Sequence, residues 1–316
     1  MSTAFTERIE EYLVLRRGLG YRLDRQARYL RSFAGFLDNA GHDGPVPLAL
    51  TVRWATDTRS QDPHNPARRL SAIDGFLRYL APLDGASEIP PPGLLGSSYH
   101  RTPPHIYTDR ELTSLLAAAD RLSPRGGLRP ACYVTLFSLL ACTGLRISEA
   151  LALTCGDVNL EGGIMTVRNG KGGRARLVPL HRSALEPLGV YLTHRDRVAG
   201  GSPDGAFFRT DSHERLTYAA VRGTFKRLRH QLGWTSDERA RRPRIHDLRH
   251  RMIVQRVIAW YAEGADVDAK LPALATYVGH AEISALYWYF SVTPELMSVV
   301  SDRFGTFGVE FSGGAR

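Results

Sequence analysis

The chain has 316 residues, of which 43% are hydrophobic, and this is enough apolar material for one large core or for a small core and a larger one. A net charge of +9 and a pI near 9.7 favour a polyanionic partner, either nucleic acid or an acidic membrane surface. The longest apolar run, residues 131–145, is shorter than the ~20 residues that a membrane span needs, so it predicts a buried helix in a globular protein.

The amino-terminal residues 1–13 carry four charged side chains and lack the apolar stretch of a secretory signal, so we expect a cytoplasmic protein. Cys132, Cys142 and Cys155 form no CxxC pair and lie in or beside apolar segments. That pattern predicts packing in the core rather than a metal site or a disulfide framework.

Helical periodicity dominates residues 1–86. Apolar residues recur every three to four positions in Ile9-Tyr12-Leu13-Leu15, Tyr29-Leu30-Phe33-Phe36-Leu37 and Leu70-Ile73-Phe76-Leu77-Leu80. Arginines accompany these stretches at Arg16, Arg17, Arg22, Arg25, Arg28, Arg31, Arg68 and Arg69. The sequence therefore predicts a small helical bundle with a cationic surface, which either contacts DNA or is an ordinary solvated bundle.

Residues 87–106 are rich in proline, glycine and serine, which resist both helix and strand, and they predict an interdomain linker. Thr108 and Glu111 then fit a capping box, which marks the start of a helix and of a second domain over residues 107–316. Helical patterns follow through residues 116–119 and 131–141, and Gly144 ends the second pattern.

A β-hairpin is predicted next. Residues 164–168 and 174–178 have the composition of two short strands, and the glycine-rich segment 169–173 between them has turn chemistry and carries Lys171. The signals from Arg182 onward are mostly helical. The expected fold is thus mainly α with a small β-sheet or hairpin.

Phosphate-binding chemistry is indicated in the helix predicted to begin near Ile245. His246 and Arg249 are three residues apart and so project from one face, whereas we expect His250 to project elsewhere. Arginine holds two non-bridging phosphate oxygens in its planar fork and keeps its charge near neutral pH. Arg146 and Arg249 together would clamp a phosphate and stabilise the transition state of an attack on it.

Tyr289 has the character of a nucleophile, because tyrosine forms covalent intermediates when a base or cationic surroundings activate its hydroxyl. Its ordinary pKa is ~10, and neighbouring arginines would favour the phenolate. Tyr287 is the alternative nucleophile. Two residues along a helix rotate a side chain by roughly 200°, so both tyrosines cannot face the same phosphate. Either tyrosine, taken alone, would more often be a core residue.

Five motifs in this order resemble those of the tyrosine recombinases of the phage integrase family. They are residues 143–149 (TGLRISE), 169–180 (NGKGGRARLVPL), 246–250 (HDLRH) and 278–280 (VGH), followed by Tyr289. The resemblance runs from about Thr108 to Leu296, with a compatible helical region ahead of it. It implies an N-terminal helical core-binding domain and a tyrosine-recombinase catalytic domain with a C-terminal tail.

The resemblance also implies a role for each motif. Arg146 and Arg249 would hold the scissile phosphate, and Glu149 would support the Arg146 region. Lys171 would act as general acid toward the leaving 5′-hydroxyl, while Tyr289 would form a 3′-phosphotyrosyl link. His246 would assist proton transfer and His280 would hydrogen-bond the phosphate. The link retains the energy of the phosphodiester, so the chemistry is expected to need no cofactor, neither ATP nor a divalent metal.

Lysine is scarce in this chain, since it occurs only at Lys171, Lys226 and Lys270. An ammonium group can give up a proton, whereas a guanidinium does not readily do so, which gives a chemical reason for the lysine at the predicted hairpin tip. A chance surface lysine is the alternative. The nearby Arg168, Arg174 and Arg176 are expected to contact DNA.

The family further implies double-stranded DNA with specific recombination sites as the partner, with a dimer on each site and a tetramer in synapsis. Accessory proteins are possible partners, and no membrane is expected, so we place the protein at the nucleoid.

The long segment between Arg249 and His280 and the sequence around Tyr289 resemble transposon-borne recombinases, which favours a mobile element. The tail, residues 297–316, would dock either on its own domain or on a neighbouring protomer. A type IB topoisomerase and a noncatalytic DNA-binding regulator remain alternatives.

Overall fold

The computed structural model describes residues 4–99, 103–168, 175–200, 202, 204–234, 242–280 and 286–287. The chain divides into two compact units, residues 1–102 and 103–316. Within the described ranges, no helix combines the length and the apolar character needed to cross a membrane. Lys171, Arg174, Tyr289 and the tail 297–316 lie outside the described residues.

The first unit contains four described helices: α1 (Ala4–Gly18), α2 (Asp24–Asn39), α3 (Leu48–Thr56) and α4 (Asn65–Asp84). Its core consists largely of the periodic apolar residues, including Ile9, Phe33 and Phe76, each 0% exposed. The predicted helical bundle is therefore confirmed. Leu15 is an exception at 50% exposure, because the buried face of α1 follows positions 5, 9, 12 and 13 and leaves position 15 on the opposite face.

The segment predicted as a linker packs, in its first part, on the first unit. The buried Ser87 hydroxyl accepts a hydrogen bond from the Val46 amide at 2.8 Å, and the Glu88 amide donates to the Val46 carbonyl at 2.9 Å. Further along, Arg68 Nε donates to the Ser98 carbonyl at 3.3 Å. Prolines prevent a helix here but leave the carbonyls able to accept hydrogen bonds. Residues 87–98 thus belong to the first unit.

The second unit contains α5 (Asp109–Asp120), α6 (Leu128–Thr143), α7 (Ile147–Ala152), α8 (Arg182–Ala199), α9 (Tyr218–Gln231), α10 (Asp247–Ala262) and α11 (Val267–Val278). Its antiparallel sheet has the order β1 (Val158–Asn159), β2 (Ile164–Val167), β3 (Arg176–Pro179). The mainly helical fold with a small sheet is confirmed.

Local signals predicted the main boundaries of the second unit. The Thr108 hydroxyl accepts from the Glu111 amide at 3.2 Å, and the Thr108 amide donates to the Glu111 carboxylate at 2.8 Å, so the capping box is present. Strands β2 and β3 pair with Val167 opposite Arg176, as in the predicted hairpin. The two-residue strand β1 was not predicted, because two residues show no periodicity.

Helix α6 lies in the core of the second unit and packs against α5, α8 and α10. Leu136, Phe137 and Leu140 are at most 1% exposed, which confirms the predicted buried helix. Only one cysteine follows the prediction of core packing: Cys132 is buried, but Cys142 is exposed and Cys155 is half-buried. Cys142 lies near the end of α6 at an exposed position between the buried Ala141 and Thr143.

Candidate active site

The first arginine motif begins where α6 ends. Gly144 adopts a left-handed φ of 64°, which stops the helix and turns the chain toward α7. Arg146 immediately precedes α7. Its Nη1 donates to Glu149 Oε1 at 2.7 Å and its Nη2 donates to the Gly279 carbonyl at 2.8 Å. The first arginine motif is therefore bonded directly to the segment that precedes His280.

Glu149 is a buried carboxylate, with a side chain only 2% exposed. It accepts from the Arg146 amide at 2.9 Å and from two nitrogens of Arg176 at 3.1 and 2.9 Å. Burial alone would raise the pKa of Glu149, but the hydrogen bonds from Arg176 and Arg146 outweigh burial and lower the pKa to about 2. The carboxylate is therefore charged at neutral pH and makes the contact to Arg146 that the predicted supporting role requires.

Arg176 directs all three nitrogens of its guanidinium at acceptors within the protein. Its side chain is 10% exposed, and its Nε donates to the Tyr277 carbonyl at 2.9 Å while its other nitrogens bind Glu149. These bonds to protein acceptors argue for a role of Arg176 inside the protein, whereas direct DNA contact by Arg176 stays a prediction. Arg168, at the other side of the hairpin, is 66% exposed and pairs with Asp157. Only Arg168 of the two presents its side chain to solvent.

Arg249 lies in the first turn of α10 and is 2% exposed. Its Nη1 donates to the Gly144 carbonyl at 2.7 Å, across 105 residues of sequence. Because Gly144 lies two residues before Arg146, this bond brings the second arginine motif to the first. The guanidinium of Arg249 is thus held at the backbone segment that carries Arg146.

The two histidines of the HDLRH motif contact each other. The rings of His246 and His250 lie 4.6 Å apart, edge to face. The expectation that His250 projects elsewhere was wrong, because residues four apart share a helix face just as residues three apart do. Burial and the positive charge of Arg244 lower the pKa of His250 to about 3. Partial desolvation and the charge of Arg249 also lower the pKa of His246, whose ring reaches the surface, so both rings are neutral near pH 7.

Asp247 and Tyr107 fix the start of α10, although neither was predicted to do so. The fully buried Asp247 carboxylate accepts from the Arg244 amide at 2.7 Å and from Arg244 Nη2 at 2.8 Å. The Tyr107 hydroxyl donates to the Arg244 carbonyl at 3.1 Å. An acidic residue in the first turn of a helix was a signal for Asp247. Nothing in the sequence marked Tyr107, which lies 137 residues from Arg244.

His280 follows the end of α11. Gly279 adopts a left-handed φ of 71°, and the His280 amide donates to the Ala275 carbonyl at 2.8 Å, which places His280 beside the carbonyl that Arg146 binds. The structure therefore brings together Arg146, Glu149, His246, Arg249 and His280.

Lys171 and Tyr289 lie outside the described residues, and Tyr287, the alternative nucleophile, is 52% exposed. Among described side chains, no three His, Cys, Asp or Glu residues are grouped to hold a metal ion.

The model of the phage integrase family matches residues 106–295, which include all five motifs. The chain belongs to the phage integrase family. One relative, y4rB of Sinorhizobium fredii, is named as an integrase/recombinase and is 35% identical over 96% of this chain and 97% of its own length. The tyrosine recombinase XerC of Chlamydia caviae is 29% identical over 84% of this chain and 87% of its own length. The chain is thus a tyrosine-type DNA recombinase, as the motifs indicated.

Solved recombinase structures have the same fold. The Tn1549 transposon integrase, in complex with transposon right-end DNA, superposes with a TM-score of 0.68 at 16% identity and covers 95% of this chain and 98% of that one. The XerH site-specific recombinase bound to difH substrate gives a TM-score of 0.63 at 20% identity, covering 87% and 78%. At these identities the similarity concerns the fold, and it extends over both units of this phage integrase family member.

Proposed function

We propose that this recombinase cleaves DNA through attack of the Tyr289 hydroxyl on a phosphodiester held by Arg146 and Arg249. The attack forms a 3′-phosphotyrosyl bond and breaks the bond to the 5′-oxygen, which leaves as a hydroxyl. A 5′-hydroxyl from the partner strand then attacks the phosphotyrosyl bond, restores a phosphodiester and releases the tyrosine. The number of phosphoester bonds is unchanged over the cycle, so no ATP is consumed.

The observation that carries this proposal is the way in which the two arginines are anchored. Arg249 donates to the Gly144 carbonyl, and Arg146 donates to the Gly279 carbonyl and to Glu149. An arginine has five N–H donors, so a guanidinium that is anchored by protein acceptors can also hold phosphate oxygens. Two guanidiniums that are fixed before the substrate arrives stabilise the charge of the pentacoordinate transition state without reorganisation at the moment of reaction.

Proton transfer is assigned to Lys171 and His246. His246 is neutral near pH 7 because its pKa is lowered, so it is suited to accept the tyrosine proton. Lys171 would give its proton to the leaving 5′-oxygen, and His280 would hydrogen-bond a phosphate oxygen. Lys171 lies in sequence between β2 and β3, whose pairing starts at Val167 and Arg176. Arg168 and Arg174 would contact the DNA backbone beside it.

The proposed partner is double-stranded DNA with specific recombination sites, bound by two copies per site and four in synapsis, with accessory proteins where the element uses them. The Tn1549 integrase and XerH structures are DNA complexes, and a lambda integrase of the same fold is a tetramer on a Holliday junction. The similarity to y4rB and to a transposon integrase supports an origin in a mobile element that acts at the nucleoid. The arginines of the first unit would add non-specific phosphate contacts.

Covalent capture of DNA tests the proposal and does not require a defined target site. The protein is incubated with nicked duplexes of randomised sequence, denatured, and separated, and the adduct is mapped by mass spectrometry. We expect an adduct with the wild type and with Tyr287→Phe, but none with Tyr289→Phe. An adduct that requires Tyr287 instead would refute the nucleophile assignment.

The captured duplex then separates the classes of enzyme. Joining of strands between two duplexes supports recombination, whereas relaxation of a supercoiled plasmid without joining supports a type IB topoisomerase. Specific binding with no adduct from the wild type supports a noncatalytic DNA-binding regulator and refutes the proposal.

A further inference from the structure

Arg176 is the first residue of β3, and each of the three nitrogens of its guanidinium donates to an acceptor in the protein. Strand alternation places it on the same face as the buried Val178, while Leu177 between them is 62% exposed. Its Nη1 and Nη2 each bind one oxygen of Glu149, and its Nε binds the Tyr277 carbonyl. Such a two-point contact fixes the direction of the carboxylate as well as its distance.

The same guanidinium packs against Gly279. A Cβ at position 279 would lie 2.7 Å from Nη1 and 2.8 Å from Cζ of Arg176, and Gly279 has a φ of +71°. The close approach therefore requires glycine at this position. Since Arg146 donates to the Gly279 carbonyl and to Glu149, Arg176 contacts both of the groups that anchor Arg146.

Arg176 also determines how Glu149 divides its hydrogen bonds. Glu149 Oε1 accepts from the side chains of both Arg146 and Arg176, whereas Oε2 accepts from the Arg176 side chain and from the Arg146 backbone amide. Without Arg176, the buried carboxylate would face Arg146 as its remaining cation and could take two donors from it. Arg146 would then turn toward Glu149 and away from a phosphate.

We infer that Arg176 is a positioning residue of the cleavage reaction, which orients Arg146 through Glu149 and Gly279 and ties β3, the strand that comes after Lys171 in the sequence, to that arginine. This inference rests on the proposed function, because it concerns the cleavage step. The role is distinct from DNA binding, since the Arg176 side chain has its donors directed into the protein.

The test measures single-turnover cleavage and equilibrium binding of the captured duplex at saturating protein. Arg176→Met is expected to slow cleavage by about a hundredfold, comparable to the loss of one preorganised donor. Its DNA affinity should change by less than about threefold, and the dependence of affinity on salt should not change. Arg176→Lys keeps the charge and one donor, so it should recover part of the rate.

Arg215→Met is the matched control. Arg215 donates to the Leu151 carbonyl at 2.8 Å and so tethers the opposite end of α7 from Glu149. If Arg176 acted only by stabilising α7, the two variants would lose cleavage activity to the same extent. We expect Arg215→Met to cleave within about twofold of the wild-type rate. Thermal melts verify that each variant is folded. If Arg176→Met does not fold, the cleavage rate of Arg176→Lys is compared with that of Arg215→Met instead.

The dependence of the cleavage rate on pH separates this role from a general loss of stability, which would not change that dependence. The described charged groups that contact Glu149 are Arg146, next to its own helix, and Arg176, on β3. Removal of Arg176 takes away hydrogen bonds that lower the pKa of Glu149, while burial continues to raise it, so the carboxyl group is protonated more readily and loses its hold on Arg146 as the pH falls. The ratio of Arg176→Met to wild-type cleavage should therefore fall as the pH is lowered. The double variant Glu149→Gln/Arg176→Met should lack this added pH dependence.

Four results would overturn the inference. One is a drop in affinity and a salt dependence lower by about one charge, with normal cleavage at saturation, because Arg176 would then be a DNA contact. Another is equal loss in Arg176→Met and Arg215→Met with no change in pH profile. Absence of any wild-type adduct would overturn both the inference and the proposed function. If the wild type forms an adduct and the Arg176 variants cleave at the wild-type rate, only the inference would be overturned.

Discussion

The two units use arginine in different ways. In the first unit, Arg31 pairs with Glu10 and Arg78 pairs with Asp74, and these guanidiniums are 51% and 53% exposed. In the second unit, Arg176 and Arg249 are 10% and 2% exposed and donate to acceptors on other elements. Water screens the exposed pairs, so they contribute little, whereas a buried guanidinium is tolerated only where several fixed acceptors surround it. The arginines that build the site are therefore distinguished by their acceptors and not by their number.

The largest effect is expected from Arg249→Met, which removes one of the two proposed phosphate-binding guanidiniums. Single-turnover cleavage of the captured duplex should fall by about a thousandfold, as for other arginines that stabilise a phosphoryl-transfer transition state. Near-UV circular dichroism is the control for folding. If the cleavage rate falls by less than about tenfold, groups other than Arg249 stabilise the charge of the transition state.

Glu149→Gln tests the energetic weight of the buried cluster. Folding lowers the pKa of Glu149 from 4.5 to about 2, which corresponds to ~3 kcal/mol of stability at neutral pH. Urea unfolding at pH 7 should show a loss of about that size in the variant. Because the carboxyl pKa is lower in the folded state, this contribution is complete above pH 4.5 and disappears as the pH falls toward 2. A difference between variant and wild type that stays constant over this range would contradict the assignment.

Arg168→Gln tests whether an exposed arginine of the hairpin contacts DNA. Affinity for the captured duplex should fall a few-fold, and the slope of log affinity against log salt should become shallower by about one. Cleavage at saturating protein should be unchanged, which is the opposite of the pattern expected for Arg176→Met. An unaltered slope would mean that Arg168 serves only its ion pair with Asp157.

The smallest effect is expected from Glu10→Gln in the first unit. The Glu10 carboxylate binds Arg31 through two hydrogen bonds, at 2.7 and 3.1 Å, but both side chains are largely solvated. Urea unfolding at pH 7 should show a loss of about 0.5 kcal/mol. A loss of about 2 kcal/mol or more would remove the contrast between the exposed arginines of the first unit and the buried ones of the second.

Strand β3 shows why part of the site escaped prediction. An apolar residue in a short strand is normally assigned to the buried face, which would bury Leu177 and expose Arg176, yet the reverse is observed. The alternation itself was visible, since Arg176 and Val178 are two apart. What decides the buried face is the presence of Glu149, 27 residues away, which compensates the charge of Arg176.

His250 was mispredicted for a different reason. The helical pattern was right, and α10 begins at Asp247 as the motif suggested, but only the pair at three-residue spacing was considered. The contact between His246 and His250 follows from the same geometry at four-residue spacing. This feature could have been predicted from the sequence.

Local periodicity and motif order predicted three of the four described helices of the first unit, helices α6 and α10 of the second unit, the capping box at Thr108, the β2–β3 hairpin and the family of the chain. These features depend on residues close together in sequence, whose spacing reports directly on a helix, a strand or a turn. Tertiary structure decided which cation faces inward, because burial of a charge depends on partners from distant segments. Arg146 with Gly279, Arg176 with Glu149 and Arg249 with Gly144 are joined across 133, 27 and 105 residues, and no local pattern encodes such pairs.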